Sequence, residues 1–344
     1  MRVAMWYNNQ DVRVEELPTP QIGHGELLVR VEASGICGSD ALEWYRLPKA
    51  PLVLGHEIAG TVAVVGEGID QYTIGDRVCV AHHVPCNVCH YCRRGHHTAC
   101  DTLRKTNFDP GGFSEYLRLP SINVDRGTFV VPEEVSFEEA SFTEPLACVI
   151  RGQRIAGLHL GDSVLVLGCG IAGLLHIQLA RASGAALVVA TDIADYRMEA
   201  ATHFGADAVI PANKDISACF REINDGRLAD IVIVCTGAVS ATLQALESIE
   251  RGGTILFFAL LDQDATIPLA VNKLFFRNDV TLTTSYAGSP ADYAMALELI
   301  RRRRIQVQEM ITHRLGLEEI SQGFQLLLHP EQQQAIKIII QPQR

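Results

Sequence analysis

Ser163-Val164-Leu165-Val166-Leu167-Gly168-Cys169-Gly170-Ile171-Ala172-Gly173 lies near the middle of the chain, and the segments on either side are organised around it. Four apolar residues of strand type run into glycines at the first, third and sixth places of a turn, and a helical run from Ile171 to Ser183 follows. Gly168 permits the sharp turn, Gly170 lets backbone approach a pyrophosphate, and Gly173 allows helix and strand to pack closely. Ile171 and Ala172 open the helix, whose N-terminus then faces the phosphates. The next buried-strand run, Leu187 to Thr191, ends in Asp192, 24 residues after Gly168, where a ribose diol needs an acceptor. An acid there also repels a 2′-phosphate, which favours NAD over NADP. A strand, a turn, a helix and an acid in this order predict a dinucleotide-binding half.

From about Ile150 to Thr284 strands and helical runs alternate, as in a doubly wound parallel sheet of the α/β class. Asp230 to Val234 and Thr254 to Phe258 are short apolar runs suited to central strands. Thr236 and Gly237 follow the carboxyl end of the first run, where such sheets bind ligands. His176 and His203 lie inside helical runs and read as packing or surface residues. Before this region, from Met1 to about Val131, short alternating runs broken by glycine and proline predict a mainly-β domain.

At 344 residues two domains are expected. The net charge of −11 argues against a general nucleic-acid binder, and no uncharged span approaches the roughly 20 residues that cross a bilayer. The first residues lack a signal-peptide pattern, so the cytoplasm is expected. Ten cysteines without an export signal read as metal ligands before disulfides. Cys86, Cys89, Cys92 and Cys100 lie in one compact segment, and four thiolates satisfy tetrahedral zinc completely, which predicts a structural site. Free or disulfide-bonded cysteines and a nucleic-acid-binding zinc knuckle are the weaker readings, the latter because only Arg93, Arg94 and Lys105 supply charge nearby. Cys37 and His56 gain weight from Glu144: one sulfur, one nitrogen and one carboxylate leave a zinc position open.

Gly35-Ile36-Cys37-Gly38-Ser39-Asp40, Gly55-His56-Glu57, Gly75-Asp76-Arg77-Val78, the four-cysteine segment, Gly111 to Tyr116, Glu144-Pro145 and the glycine turn follow one another in order. In that set the chain resembles the zinc-containing medium-chain alcohol dehydrogenase family, in its polyol (sorbitol) and threonine dehydrogenase-like branch. The resemblance implies a GroES-like catalytic domain over residues 1–149, completed by 285–344, and an NAD-binding Rossmann domain over 150–284. It carries the catalytic zinc ligands to Cys37 and His56, with Glu57 or Glu144 as the third. Ser39 matches the hydroxyl that passes the alcohol proton outward, and Arg197 a basic position near the adenosine ribose. A histidine that extends the proton path in many relatives is Leu42 here, so the route beyond Ser39 is open, with Glu43, Tyr45, or water and the ribose hydroxyls as candidates. The implied reaction is NAD-linked oxidation of a small secondary alcohol, a polyol, sugar derivative or hydroxy amino acid, in a homodimer or homotetramer. A non-catalytic nucleotide-binding or sensing protein on the same fold is the alternative, and would have no need of the open zinc site.

Beyond Thr284, Ser289-Pro290-Ala291-Asp292 predicts a capped helix start, and Arg301 to Arg304 a helix end in solvent before an anion site. Leu317 to Leu328 reads as a last amphipathic helix and Lys337 to Ile340 as a closing strand.

Overall fold

The computed structural model describes residues 1–344, which divide into two compact units, Met1–Ala147 with Ala287–Arg344, and Cys148–Tyr286. No helix is long and apolar enough to cross a membrane.

The second unit holds a six-stranded, all-parallel sheet. Across it the strands run Ala208–Pro211, Leu187–Asp192, Ser163–Leu167, Ala229–Val234, Ile249–Phe257 and Thr281–Thr284. Ser163–Leu167 is buried at every position, because a parallel strand covered on both faces needs continuous rather than alternating apolar residues. Leu165, Leu167, Val189, Val232, Val234 and Ile255 meet in one core. The strand order reverses between Ser163–Leu167 and Ala229–Val234, which pair Leu167 with Val234, so Gly168 and Cys235 emerge side by side at the switch point where such sheets bind ligands. The strand Ile249–Phe257 begins before the apolar run at Thr254, its Arg251-Gly252-Gly253 segment accommodated by a register shift against Ala229–Val234.

In the first unit, a seven-stranded sheet is built on Leu27–Gly35, which pairs antiparallel with Glu57–Val65, Tyr116–Leu119 and the last strand, Lys337–Gln341. A separate three-stranded sheet packs Trp6 and Val53 with Phe113 and Phe324. The chain's last segment is therefore structural to this unit: Ile339 lies opposite Gly35, and Gly35 opposite Glu57 on the other side. Ser289 caps the helix Pro290–Arg301 through its hydroxyl, and Asp292 closes the capping box. The expected helix Leu317 to Leu328 is a 3₁₀ turn, Leu317–Glu319, followed by the helix Ile320–Leu328. Arg301, Arg302 and Arg303 pair with Glu134, Glu298 and Glu139, so the arginine run is matched by carboxylates.

Candidate functional site

Cys37 leaves the strand Leu27–Gly35 and caps a 3₁₀ turn, Gly38–Ala41, while His56 precedes the strand Glu57–Val65 that pairs with it. One ligand atom from each of Cys37, His56 and Glu57 lies within 4.8 Å of the others. Sulfur, imidazole and carboxylate are a donor set suited to zinc, and three of them leave a fourth position free. Glu144, buried in the first turn of the helix Thr143–Ala156, is not in this group. Ser39 places its hydroxyl 3.4 Å from the Cys37 sulfur. Leu42 ends the 3₁₀ turn, Glu43 accepts from the Asn9 amide at 2.9 Å, and Arg46 and Lys49 lie over the Tyr45 ring at 4.9 and 4.1 Å.

Sequence reasoning gave no role to Asp40, although it stands three residues after Cys37. It is wholly buried: Oδ2 accepts from the Cys37 amide at 3.1 Å, and Oδ1 lies 3.2 Å from His56 Nδ1, at ion-pair distance, with Arg46 at 3.6 Å. Burial works against charge on His56, but Asp40 and Cys37 outweigh it and raise its pKa well above the ordinary value. A carboxylate behind one ring nitrogen orients the other, which is how ligating histidines are held. The second omission is Lys337, whose amine meets Glu57 Oε2 with both side chains 1% exposed.

The thiols of Cys86, Cys89, Cys92 and Cys100 converge around Leu103. Backbone amides point at the sulfurs, Cys86 N at Cys100 Sγ, 3.4 Å, and Cys89 N at Cys86 Sγ, 3.3 Å. Burial opposes ionisation of Cys100, yet the amides of Cys86 and Leu103 and the neighbouring thiols bring it down to about 6. Amides aimed at sulfur favour thiolate, and four thiolates fill a tetrahedral zinc site.

At the glycine turn, Gly168 has φ +98° and a Cβ there would stand 3.1 Å from Thr236 Cβ. A Cβ on Gly173 would overlap the Gly168 carbonyl, so helix and strand approach as closely as backbone allows. Gly170 caps the helix Ile171–Ala182 and faces open space. Asp192 is 5% exposed; Oδ2 accepts from the Cys169 amide at 2.7 Å and Oδ1 from Ala194 at 3.0 Å. Arg197 reaches within 4.0 Å of it, and Thr236 Oγ1 accepts from Ala238 N at 3.4 Å ahead of the helix Val239–Glu247. Gly237 sits against the Leu260 carbonyl. His176 is fully buried among Gln153 and Phe258, whereas His203 closes the helix Asp195–His203.

Comparison with known proteins matches residues 23–126 to the alcohol dehydrogenase GroES-like domain and residues 172–302 to the zinc-binding dehydrogenase family. The sorbitol dehydrogenase of Bacillus subtilis (strain 168) is 30% identical over all of this chain and 98% of its own. The L-threonine 3-dehydrogenase of Caldanaerobacter subterraneus is 30% identical over 99% and 98% of the two chains. Among solved structures, the alcohol dehydrogenase TADH of Thermus sp. ATN1 superposes with a TM-score of 0.85 at 31% identity, covering 99% of each. A Sinorhizobium meliloti 1021 protein bound to NADP gives 0.87 at 27% identity over 99% of each. With both of its domains matched and with relatives of this identity along its whole length, the chain belongs to the zinc-containing medium-chain alcohol dehydrogenases, in the branch of the polyol and threonine dehydrogenases.

Proposed function

We propose that this protein transfers hydride between a secondary alcohol and NAD at a zinc site made by Cys37, His56 and Glu57. The observation that carries the reading is the convergence of these three donors beside Ser39, with a position left for an alcohol. Zinc held by Cys37, His56 and Glu57 would supply Lewis acidity toward an alcohol, and NAD held at the glycine turn would supply the hydride acceptor. Cys86, Cys89, Cys92 and Cys100 would hold a second, structural zinc. Asp40 orients His56, and Ser39 takes the alcohol proton outward.

Gly168, Gly170, Ile171, Ala172 and Gly173 would present backbone to the pyrophosphate, and Asp192 would accept from the adenosine ribose hydroxyls. Its fixed negative charge disfavours a 2′-phosphate, while Arg197 steadies the carboxylate; the NADP-bound relative makes this preference a point to measure. Thr236 and Gly237 line the same edge of the sheet. We take 1–149 with 285–344 as the catalytic domain and 150–284 as the dinucleotide domain, boundaries that fall within three residues of the unit limits at Ala147 and Ala287.

The substrate class is a polyol, sugar derivative or hydroxy amino acid. A homodimer or homotetramer is supported by the open edge of Thr281–Thr284 and the exposed Val271, Phe276 and Tyr286 near it in sequence. None of the ten cysteines forms a disulfide, which suits the reducing cytoplasm. The test is a panel of polyols, sugar acids and threonine with NAD: zinc-loaded protein should form NADH with at least one class and lose the activity on chelation. No turnover across the panel would overturn the reading.

A further inference from the structure

Lys337 is a lysine with 1% of its side chain exposed, at a position where a charge costs several kcal/mol unless it is fully partnered. Its surroundings supply that partnership. The amine meets Glu57 Oε2, donates to the Ile36 carbonyl at 3.1 Å, and faces the Phe142 ring at 5.6 Å. Three adjacent strands bring the pair together over Gly35, where any Cβ would overlap Glu57 Oε2 and stand 2.7 Å from the lysine amine. Gly35 has no positive φ to explain it, so it is the space above it that requires glycine. The Ile36 carbonyl fixes the amine beside the residue that precedes Cys37, and the amine in turn fixes Glu57. One carboxylate oxygen is thereby taken and the other is left.

We propose that Lys337 is a positioning residue for the open metal site: by holding Oε2 it restricts Glu57 to a single donor oxygen and keeps that oxygen beside Cys37 and His56. This rests on the assignment of those residues as zinc ligands. Outer-shell partners of this kind are worth about 10–100-fold in metal affinity.

The test uses the full chain, its zinc content after dialysis against a graded chelator, and the visible spectrum after cobalt replaces zinc. Lys337→Met should lose zinc from the open site at about 10–100-fold lower chelator strength while the four-cysteine site keeps its ion, and its cobalt bands should weaken as Glu57 gains a second donor oxygen. Lys337→Arg should restore most of the affinity. Unchanged affinity and spectrum in Lys337→Met would overturn the proposal. If loss of the cysteine-bound zinc shows that this variant misfolds, Glu57→Gln is compared with Glu57→Gln/Lys337→Met, which buries no unpaired charge. Equal zinc affinities support action through Glu57, and a further full loss in the double variant overturns it. Unaltered protein that retains one zinc, not two, would instead remove the underlying assignment.

Discussion

Asp192 Oδ2 accepts a 2.7 Å hydrogen bond from the amide of Cys169, so the acid ending one strand is fastened to the glycine turn ending its neighbour. The same carboxylate therefore serves the turn's geometry and, in the proposed reading, would serve the choice of coenzyme. Asp192→Ala should raise the KM for NAD by about tenfold or more and reduce its advantage over NADP. It should also cost about 1–3 kcal/mol, because the Cys169 and Ala194 amides lose their acceptor. Steady-state kinetics with both coenzymes and urea unfolding separate the two effects.

Gly173→Ala tests the packing side of that turn. The added methyl would overlap the Gly168 carbonyl, which is backbone and cannot rotate away. Expected are a loss of about 1–3 kcal/mol of stability and weakened NAD binding, read by denaturation and by coenzyme fluorescence titration. The same change at Gly170, which faces open space, should leave stability within about 0.5 kcal/mol while still impeding the pyrophosphate.

His176 predicts a pH dependence. Burial lowers its pKa to about 3, against 6.5 for an exposed imidazole, so the unfolded chain binds its proton first. The stability this neutral histidine allows is complete above about pH 6.5, falls as pH drops, and is gone by about pH 3. The full span is about 5 kcal/mol as an upper bound. His176→Met should be less stable at pH 7, with Gln153 losing its ring partner, but its urea midpoint should change less between pH 7 and 4.5.

Cys100→Ser removes one wall of the four-cysteine site. The variant should lose one zinc and become sensitive to proteolysis within residues 86–105, because a closed zinc site contributes folding free energy directly. Metal analysis and limited proteolysis check both outcomes.

The parallel-sheet unit was legible because a parallel strand buried on both faces must be apolar throughout, and because Gly173 records a backbone contact that no side chain tolerates. The cysteine segment was legible for a similar reason: its four sulfurs lie close in sequence. Lys337 was not, since a lysine heading a strand ordinarily points to water and its partner lies 280 residues away. The choice between Glu57 and Glu144 was likewise closed to sequence, both being carboxylates in suggestive motifs. The register that sets Glu57 opposite Gly35 is what supports the proposal of Glu57 as the third ligand. Asp40 stood in the quoted motif, but its role depends on His56 arriving from another strand.

Alcohol oxidation should depend on a zinc ion held by Cys37, His56 and Glu57. The most direct measurement is NADH formation by Cys37→Ala beside the unaltered protein, with zinc counted in each. The prediction is one zinc and no measurable oxidation in the variant, against two zinc ions and activity in its parent. A variant that lacks the second zinc and still oxidises the alcohol at the parental rate would contradict it.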